Sequence, residues 1–244
     1  MYEQWLEAEQ KWIGEYCSKT KRKMVLKVVP AVLIILTVLF GLMDLVNGNT
    51  EIKILLENAM GGFMIGVIVC AVYLVIVLPK LSPKRYIKKI EKAVRQLELS
   101  ESEKGQLAQE LLSAEKDPKR TISFLINGHG SKDTPARFVC SEHYAMLEGS
   151  YPYAIIVKLS DIERIRTSEE EKSRSIRRGG IITTEYFTLY TIGFYRKDRA
   201  SRGLSEEELP DEAMGFFASE IRDKAAALLG VEESGVYIGG VKRR

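Results

Sequence analysis

Two apolar stretches decide the fold of this chain: Val28–Val46, VVPAVLIILTVLFGLMDLV, and Asn58–Leu78, NAMGGFMIGVIVCAVYLVIVL. The first carries one charged residue, Asp44 near its end, and the second carries none. A helix rises about 1.5 Å per residue, so about 20 residues cross the roughly 30 Å hydrocarbon core of a bilayer. One such stretch is compatible with a buried helix of a soluble protein, but two in succession predict a membrane-spanning helical hairpin.

Basic residues flank this hairpin on the side of both termini. They are Lys19, Lys21, Arg22, Lys23 and Lys27 before the first stretch, and Lys80, Lys84, Arg85, Lys88, Lys89, Lys92 and Arg95 after the second. The connecting segment 47–57 has one basic residue, Lys53, and two acidic residues, Glu51 and Glu57. Because cytoplasmic flanks are rich in lysine and arginine, we expect a plasma-membrane protein with two spans and both termini in the cytoplasm. A cleaved signal peptide is the competing interpretation, but the full-length span after 23 residues favours an uncleaved anchor.

The hairpin divides the 244 residues into five predicted segments. We expect an N-terminal amphipathic helix (1–23), the two-helix hairpin (24–79), a juxtamembrane helical stalk (80–117), a cytoplasmic α+β domain (118–230) and a basic tail (231–244) that is either an extra strand or disordered. The formal net charge of +3 is concentrated beside the spans, so no nucleic-acid partner is expected. Three cysteines without a C-x-x-C pair suggest neither a disulfide framework nor a zinc site.

Helix-packing signals lie on both sides of the first span. Trp5 and Trp12 fall on roughly one face of an N-terminal helix, which predicts either an interfacial helix or a helix packed on the soluble domain. Gly62, Gly66 and Cys70 recur every four residues in the second span, so another helix can approach closely there. That partner is either the first span, which we favour because it is tethered alongside, or a second copy of the chain.

The stalk is predicted to contain two helices. Ser82 and Pro83 are a typical N-cap and first helical residue, and the following helix carries Lys84, Arg85, Lys88 and Lys89, which makes it a candidate binding site for anionic lipid. A capping box formed by Ser100 and Glu103 predicts the start of the second helix, which runs through residue 113.

From residue 121 the pattern changes to short runs rich in β-branched and aromatic residues. Six runs, separated by turn formers, predict an antiparallel sheet or small barrel. They are 121–126, 136–141, 143–149, 153–159, 161–167 and 184–196. The charged stretch 168–180, SEEEKSRSIRRGG, is predicted to be a loop. A C-terminal amphipathic helix is expected from Asp211 to Gly230, closing one end of the sheet.

The run Phe138–Gly149, followed by Ile155–Ile165, resembles pleckstrin-homology-like (PH-like) domains of bacterial membrane-anchored proteins, in which a strand leads through I-x-L-x-D-I-x-x-I to the next strand. The resemblance covers about residues 121–230 and consists of strand spacing. It implies a sheet sandwich plugged by a C-terminal helix, and a binding or scaffolding fold with no catalytic residues to carry over.

Catalytic constellations are not visible in the sequence. His129 and His143 lack metal-ligand spacing, and segment 127–133 lacks the G-x-x-x-x-G-K-[ST] phosphate loop. We therefore expect neither enzymatic activity nor a metal or cofactor. Arg174, Arg177 and Arg178 before Gly179–Gly180 offer guanidinium groups to a phosphate or lipid headgroup, although a solvated surface loop is the simpler interpretation.

These observations lead to two main functional hypotheses. The first is a membrane-anchored cytoplasmic binding or scaffolding module that recognises a protein partner or anionic lipid, with homo-oligomerisation also possible. The second is an accessory subunit of a transporter or secretion complex that docks through the Gly62, Gly66 and Cys70 stripe. An enzyme ranks last.

Overall fold

The computed structural model of the chain describes residues 1–46, 51–128, 131–149, 154–178, 181–198, 209–231 and 236–238. It forms two compact units, one of Ala8–Lys88 and the other of Met1–Glu7 with Lys89–Arg244. The expected combination of two long apolar helices with an antiparallel β-rich part and a C-terminal helix is confirmed.

The apolar unit is built from helices. Helix α1 (Tyr2–Lys23) continues through a π-helical turn (Met24–Val28) into α2 (Val29–Val46), and α3 (Ile52–Val77) returns beside α2. Helix α3 begins six residues before the second predicted span, because the apolar Ile52, Leu55 and Leu56 extend its helical pattern. Both helices are long and apolar enough to cross a membrane.

Two further helices follow α3. A 3₁₀ turn (Leu78–Leu81) leads to α4 (Pro83–Gln96), and α5 (Glu101–Glu115) follows after a short turn at Glu98, whose φ is 49°. The predicted capping box is present: the Ser100 hydroxyl accepts from the Glu103 backbone N–H, and the Glu103 carboxylate accepts from the Ser100 N–H. Helix α5 therefore begins where the sequence signal places it.

The β-rich part has two four-stranded antiparallel sheets. The first contains β1 (Thr121–Gly128), β2 (Ser131–Cys140), β3 (Tyr144–Glu148) and β4 (Ile155–Lys158) in that order. The second has the order β7-β6-β5-β8, with β5 (Ile162–Arg178), β6 (Ile181–Arg196), β7 (Glu212–Phe216) and β8 (Val236–Ile238). In the described part of the chain these are two separate sheets and not the closed barrel that was one of the two expected forms.

The core lies between the inner faces of the two sheets and helix α6 (Ser219–Leu228). Phe138 and Leu147 of the first sheet, Phe194 of β6 and Phe216 of β7 are at most 1% exposed. Ala225 of α6 belongs to the same cluster. Alternation places these side chains on one face of each strand, so the opposite faces are available for other contacts.

Two predictions about this domain are wrong. The stretch 168–180 is not a loop: residues 168–178 continue β5, which pairs with β6 from Arg164↔Tyr195 to Arg178↔Ile181. Its charged residues are compatible with a strand because both faces of a projecting two-stranded ribbon meet water. The predicted helix from Asp211 is also too long, because Glu212–Phe216 is strand β7 and the helix starts only at Ser219. Met214 and Phe216 are buried in the core, and the residues between and beside them face outward. This burial against other segments outweighs the helical spacing of the apolar residues in the sequence.

Candidate functional site

Helix α4 carries the most concentrated positive surface among the predicted binding residues. Lys84, Arg85 and Lys88 are exposed, and we call these three side chains the basic face of α4. The helix continues with exposed Lys92 and Arg95, whereas Ile90, Ala93 and Val94 on its other side are buried. This segregation holds the cations in solvent while the apolar side fixes the helix.

The basic face follows α3 directly in the chain. Only the 3₁₀ turn Leu78–Leu81 and Ser82 separate the end of α3 from Pro83, and Pro83 contributes no backbone N–H at the first helical position. Within the same unit, Pro83 lies near Gly14 of α1, and the rings of Trp12 and Tyr86 have centroids 6.2 Å apart. The start of α4 is therefore packed against α1.

Lys89 is placed differently from its neighbours. It is half-buried and lines a hollow of about 470 Å³ together with Lys92, Gln96, Ile155 and Glu212. Burial raises the pKa of the Glu212 carboxyl, Arg196 opposes that rise and Asp211 adds to it. The predicted cluster of four cations thus divides into three exposed residues and one residue that faces a protein hollow.

The three arginines predicted in a loop lie in strand β5. Arg174 stands opposite Glu185 of β6, and its Nε donates to the Glu185 carboxylate at 2.8 Å. Arg177 and Arg178 hold register positions opposite Ile182 and Ile181, and their side chains, with Gly179 and Gly180, lie outside the described residues. In the described part of the site, the phosphate-binding hypothesis therefore rests on an arginine with an acidic partner.

The small-residue stripe of α3 packs on α2. A Cβ at Gly62 would lie 2.8 Å from both the Leu36 carbonyl oxygen and the Phe40 Cβ, and one at Gly66 would lie 3.0 Å from a Leu33 methyl group. The Cys70 Sγ lies 3.9 Å from the Val29 carbonyl oxygen. The close approach that small residues permit is thus used inside the hairpin.

A polar cluster that the sequence analysis did not predict joins α5 to the β2–β3 turn. Glu110 accepts hydrogen bonds from the Ser141 hydroxyl at 2.9 Å and from the His143 backbone N–H at 3.0 Å, and the His143 Nδ1 lies 2.7 Å from its other oxygen. Burial by itself raises the pKa of the Glu110 carboxyl, but the hydrogen bonds from His143, Gln106 and Ser141 outweigh it and lower the pKa.

This cluster differs from a hydrolytic triad. In a triad the imidazole lies between the hydroxyl and the acid, whereas here the serine and the histidine both contact the same carboxylate. The Ser141 hydroxyl also accepts from the Tyr144 backbone N–H. These contacts hold α5 against the β2–β3 turn.

A second unpredicted cluster is buried between α5 and the outer face of the first sheet. Arg137 of β2 is the cross-strand neighbour of Glu148 in β3, and the two form an ion pair in which the arginine Nε donates. The Arg137 Nη2 lies 3.1 Å from Glu115 at the end of α5. Arg137 is 8% exposed and Glu148 is fully buried. Neighbouring strands bring these charges together from distant positions, so sequence spacing gives no signal for them.

An open groove of about 790 Å³ runs along the outer face of the second sheet. Leu189, Gly215 and Phe217 contribute to its apolar part, and Arg166, Glu170 and Lys172 bring charges. Gly215 keeps the space open beside Leu189, since a Cβ at Gly215 would lie 3.2 Å from the leucine Cδ1. Leu147 and Ile155 of the first sheet also line the groove, so it reaches the edge of the core.

Comparison of the chain with protein-family models, with curated proteins and with solved structures finds no match.

Proposed function

We propose that this chain is a membrane-anchored binding module. In this proposal α2 and α3 span the plasma membrane, both termini lie in the cytoplasm, and the basic face of α4 contacts anionic lipid headgroups. The β-rich part is a PH-like domain held next to the membrane, where it recognises its ligand by binding rather than by catalysis.

The observation that carries the proposal is the exposed apolar surface of α2 and α3. Ile34 and Ile35 of α2 are 62% and 61% exposed, and Ile68 and Val75 of α3 are 61% and 74% exposed. Soluble proteins rarely expose a contiguous apolar patch above a few hundred Å². Since each exposed apolar Å² costs about 25 cal/mol in water, a hairpin covered with such side chains is stabilised by hydrocarbon.

The lengths of the two helices agree with this placement. At about 1.5 Å per residue, the 18 residues of α2 extend about 27 Å and the 26 residues of α3 extend about 39 Å. The first value is close to the roughly 30 Å hydrocarbon core, and the second allows α3 to tilt or to enter the headgroup region.

Charge supports the proposed orientation and ligand. Exposed Lys19, Arg22 and Lys23 precede α2, and the exposed basic face of α4 follows α3. Positive flanks on both sides of a two-span hairpin favour cytoplasmic termini. A basic side chain near an anionic cytoplasmic leaflet contributes about 1 kcal/mol, so the three cations of the basic face together supply a useful attraction.

The PH-like interpretation is supported by the order of elements. Four strands in sequence form the first sheet, the next three form consecutive neighbours in the second, and α6 packs against the core between them. The docking alternative, an accessory subunit of a larger complex, would need a surface other than the Gly62, Gly66 and Cys70 stripe, because α2 occupies it.

The lipid contact can be tested on the full chain in nanodiscs that contain a nickel-chelating lipid. A spin label at Lys88→Cys should be relaxed by the membrane-bound nickel, and more so in discs with anionic lipid than in neutral discs. A label at the matched exposed position Glu220→Cys on α6 reports relaxation without the basic face. Equal relaxation of the Lys88 label in neutral and anionic discs would contradict recognition of anionic lipid.

A further inference from the structure

The hairpin of β5 and β6 extends well past its own sheet. Strand β8 pairs with β5 only at Arg164–Arg166, and β7 pairs with β6 only as far as Tyr190. From Glu170↔Leu189 to Arg178↔Ile181 the hairpin has no third strand among the described residues, and we call this part the ribbon. At roughly 3.4 Å per residue it reaches about 30 Å.

Helix α6 fixes the root of the ribbon. The Arg222 Nη2 lies 3.2 Å from a Glu169 carboxylate oxygen, and the Arg222 guanidinium stands 5.3 Å from the centre of the Tyr190 ring. Glu169 and Tyr190 form the cross-strand pair immediately before the ribbon. Because Arg222 is only 9% exposed, this contact ties the base of the ribbon to the core side of the domain.

A two-stranded ribbon has two edges, each with backbone N–H and C=O groups that can pair with a further strand. An isolated hairpin is at best marginally stable in water, so an added strand on either edge would stabilise it. The two edges differ in charge. The ribbon part of β6, Ile181–Leu189, contains one charged residue, Glu185, whereas the ribbon part of β5 contains an acidic block and a basic block.

The charge order of β5 is self-complementary when the strand meets a copy of itself in the antiparallel direction. Glu170 and Glu171 stand at the root, and Arg177 and Arg178 stand at the tip. Two antiparallel copies place the acidic block of each strand beside the basic block of the other. Opposite charges facing each other across strands contribute roughly 0.2–1 kcal/mol per pair, and like charges destabilise.

Symmetry restricts the register of such a pair. A two-fold axis perpendicular to the sheet keeps every side chain on its own face, so directly opposed residues must both be odd-numbered or both be even-numbered. Of the registers this allows, the one centred on Arg174 sets Glu170 opposite Arg178 and Glu171 opposite Arg177. Shifting the centre by one residue in either direction removes these attractive pairs: centred on Ser173, Glu170 and Glu171 stand opposite Ile176 and Ser175, and centred on Ser175 they stand opposite no charged residue.

The centre of this register is also acceptable. It brings Arg174 beside the Arg174 of the second copy, and each of these arginines is neutralised by Glu185 of its own β6. Glu169, which takes no part in the four proposed pairs, contacts Arg222. Glu170 contacts Lys172 of its own strand, and in the pairing it also faces Arg178 of the second copy. We propose that the chain self-associates through an antiparallel β5–β5 pairing, with Glu170 and Glu171 of one copy facing Arg178 and Arg177 of the other. This inference does not depend on lipid binding.

Charge reversal with mixing tests the pairing on the full chain in detergent. One variant carries Glu170→Arg and Glu171→Arg, and the other carries Arg177→Glu and Arg178→Glu. Each variant alone opposes like charges at four positions of the pair, so its self-association should weaken at least about tenfold. An equimolar mixture of the two restores all four attractive pairs and should recover the association of the native chain by sedimentation.

The outcome of this experiment is decisive in both directions. Recovery on mixing shows that both variants fold and that the charges act across copies. Native-like association of either variant alone, lack of recovery on mixing, or a native chain that sediments as a monomer at every concentration would overturn the proposal. Repeating the sedimentation in nanodiscs of neutral lipid makes the test of self-association independent of the proposed contact with anionic lipid.

Cysteine cross-linking tests the register. Opposed residues in antiparallel strands have Cα atoms about 4.5–5.5 Å apart, which permits a disulfide. Arg174→Cys should therefore cross-link to itself, and Ser173→Cys should cross-link to Ser175→Cys in a mixture. Glu220→Cys on α6, an exposed position outside β5, is the control for random collision. Equal cross-linking at Arg174→Cys and Glu220→Cys would contradict the register.

Discussion

The Glu103 carboxylate accepts hydrogen bonds from two different elements. One carboxylate oxygen accepts from the Ser100 N–H at 2.9 Å, and the other accepts from the Lys158 ammonium at 2.8 Å. The hydrogen bond from Lys158, followed by those from Ser100, lowers the pKa of Glu103 from 4.5 to about 2. The same side chain thus closes the start of α5 and fastens that helix to the end of β4.

This pKa predicts an acid-dependent loss of stability. Because the pKa of Glu103 is lower in the folded state, its contribution is complete above about pH 4.5 and is lost as the pH falls towards 2. Glu103→Gln should lower the melting temperature near neutral pH, and the difference from the native chain should shrink through that window. Glu101→Gln, in the same turn and paired with Lys104, is the control. A melting difference for Glu103→Gln that is independent of pH would contradict this account.

Residue-scale features differ in how far the sequence predicts them. The Ser100 and Glu103 capping box is a local pattern, and it forms as expected. The partners of Glu103 in β4, of Glu110 in the β2–β3 turn and of Arg137 in α5 come from distant segments. Only the packing of α5 on the first sheet brings these pairs together, so spacing in the chain could not reveal them.

At the scale of elements, the α2–α3 contact depends on two adjacent glycines with opposite surroundings. A Cβ at Gly62 would meet the backbone of α2, whereas a Cβ at Gly61 would meet nothing within 4 Å. Gly62→Ala should therefore destabilise the hairpin by about 1–3 kcal/mol through overpacking. Gly61→Ala should be neutral or slightly stabilising, because alanine favours a helix by about 1 kcal/mol.

Unfolding of the full chain in detergent, followed by a probe of helix separation, measures this difference. A probe pair across α2 and α3 should report earlier separation in Gly62→Ala than in Gly61→Ala and the native chain. Equal behaviour of the two alanine variants would mean that the Gly62 contact adds nothing to the hairpin.

The errors of prediction at this scale have a common physical cause. Local composition indicated a loop for 168–180 and a helix from Asp211, but pairing with β6 makes both regions strands. Alternation in β5 is hidden because both faces of the ribbon are polar, and alternation in β7 is hidden by its five-residue length. In both cases the deciding interaction is non-local.

At the scale of the whole molecule, the proposed anchoring predicts a clear fractionation result. The chain should stay with the membrane pellet after alkaline carbonate or high-salt washing and should enter solution only with detergent, because hydrocarbon stabilises the exposed side chains of α2 and α3. A reporter fused to the C-terminus should be active only on the cytoplasmic side. Release by salt alone, or a reporter active outside, would contradict the anchoring or the orientation.

The broad plan of the molecule was predictable and its details were not. Two apolar helices are apparent because about 20 apolar residues in a row leave few alternatives. The antiparallel β-rich part and its C-terminal helix followed from alternation and turn residues. The division into two sheets and the ribbon depend on pairing between remote segments, which no local pattern encodes, whereas strand β8 lies in the tail for which an extra strand was one of the two alternatives.

Strand β3 has an uncommon position for an antiparallel strand. All five of its residues, Tyr144–Glu148, are buried, because the core covers one side and α5 packs against the other. An ordinary surface strand can vary at every second position without disturbing a neighbour, but this one has no such position. Natural sequence variation in this chain should therefore be most restricted at these five residues, including the charged one.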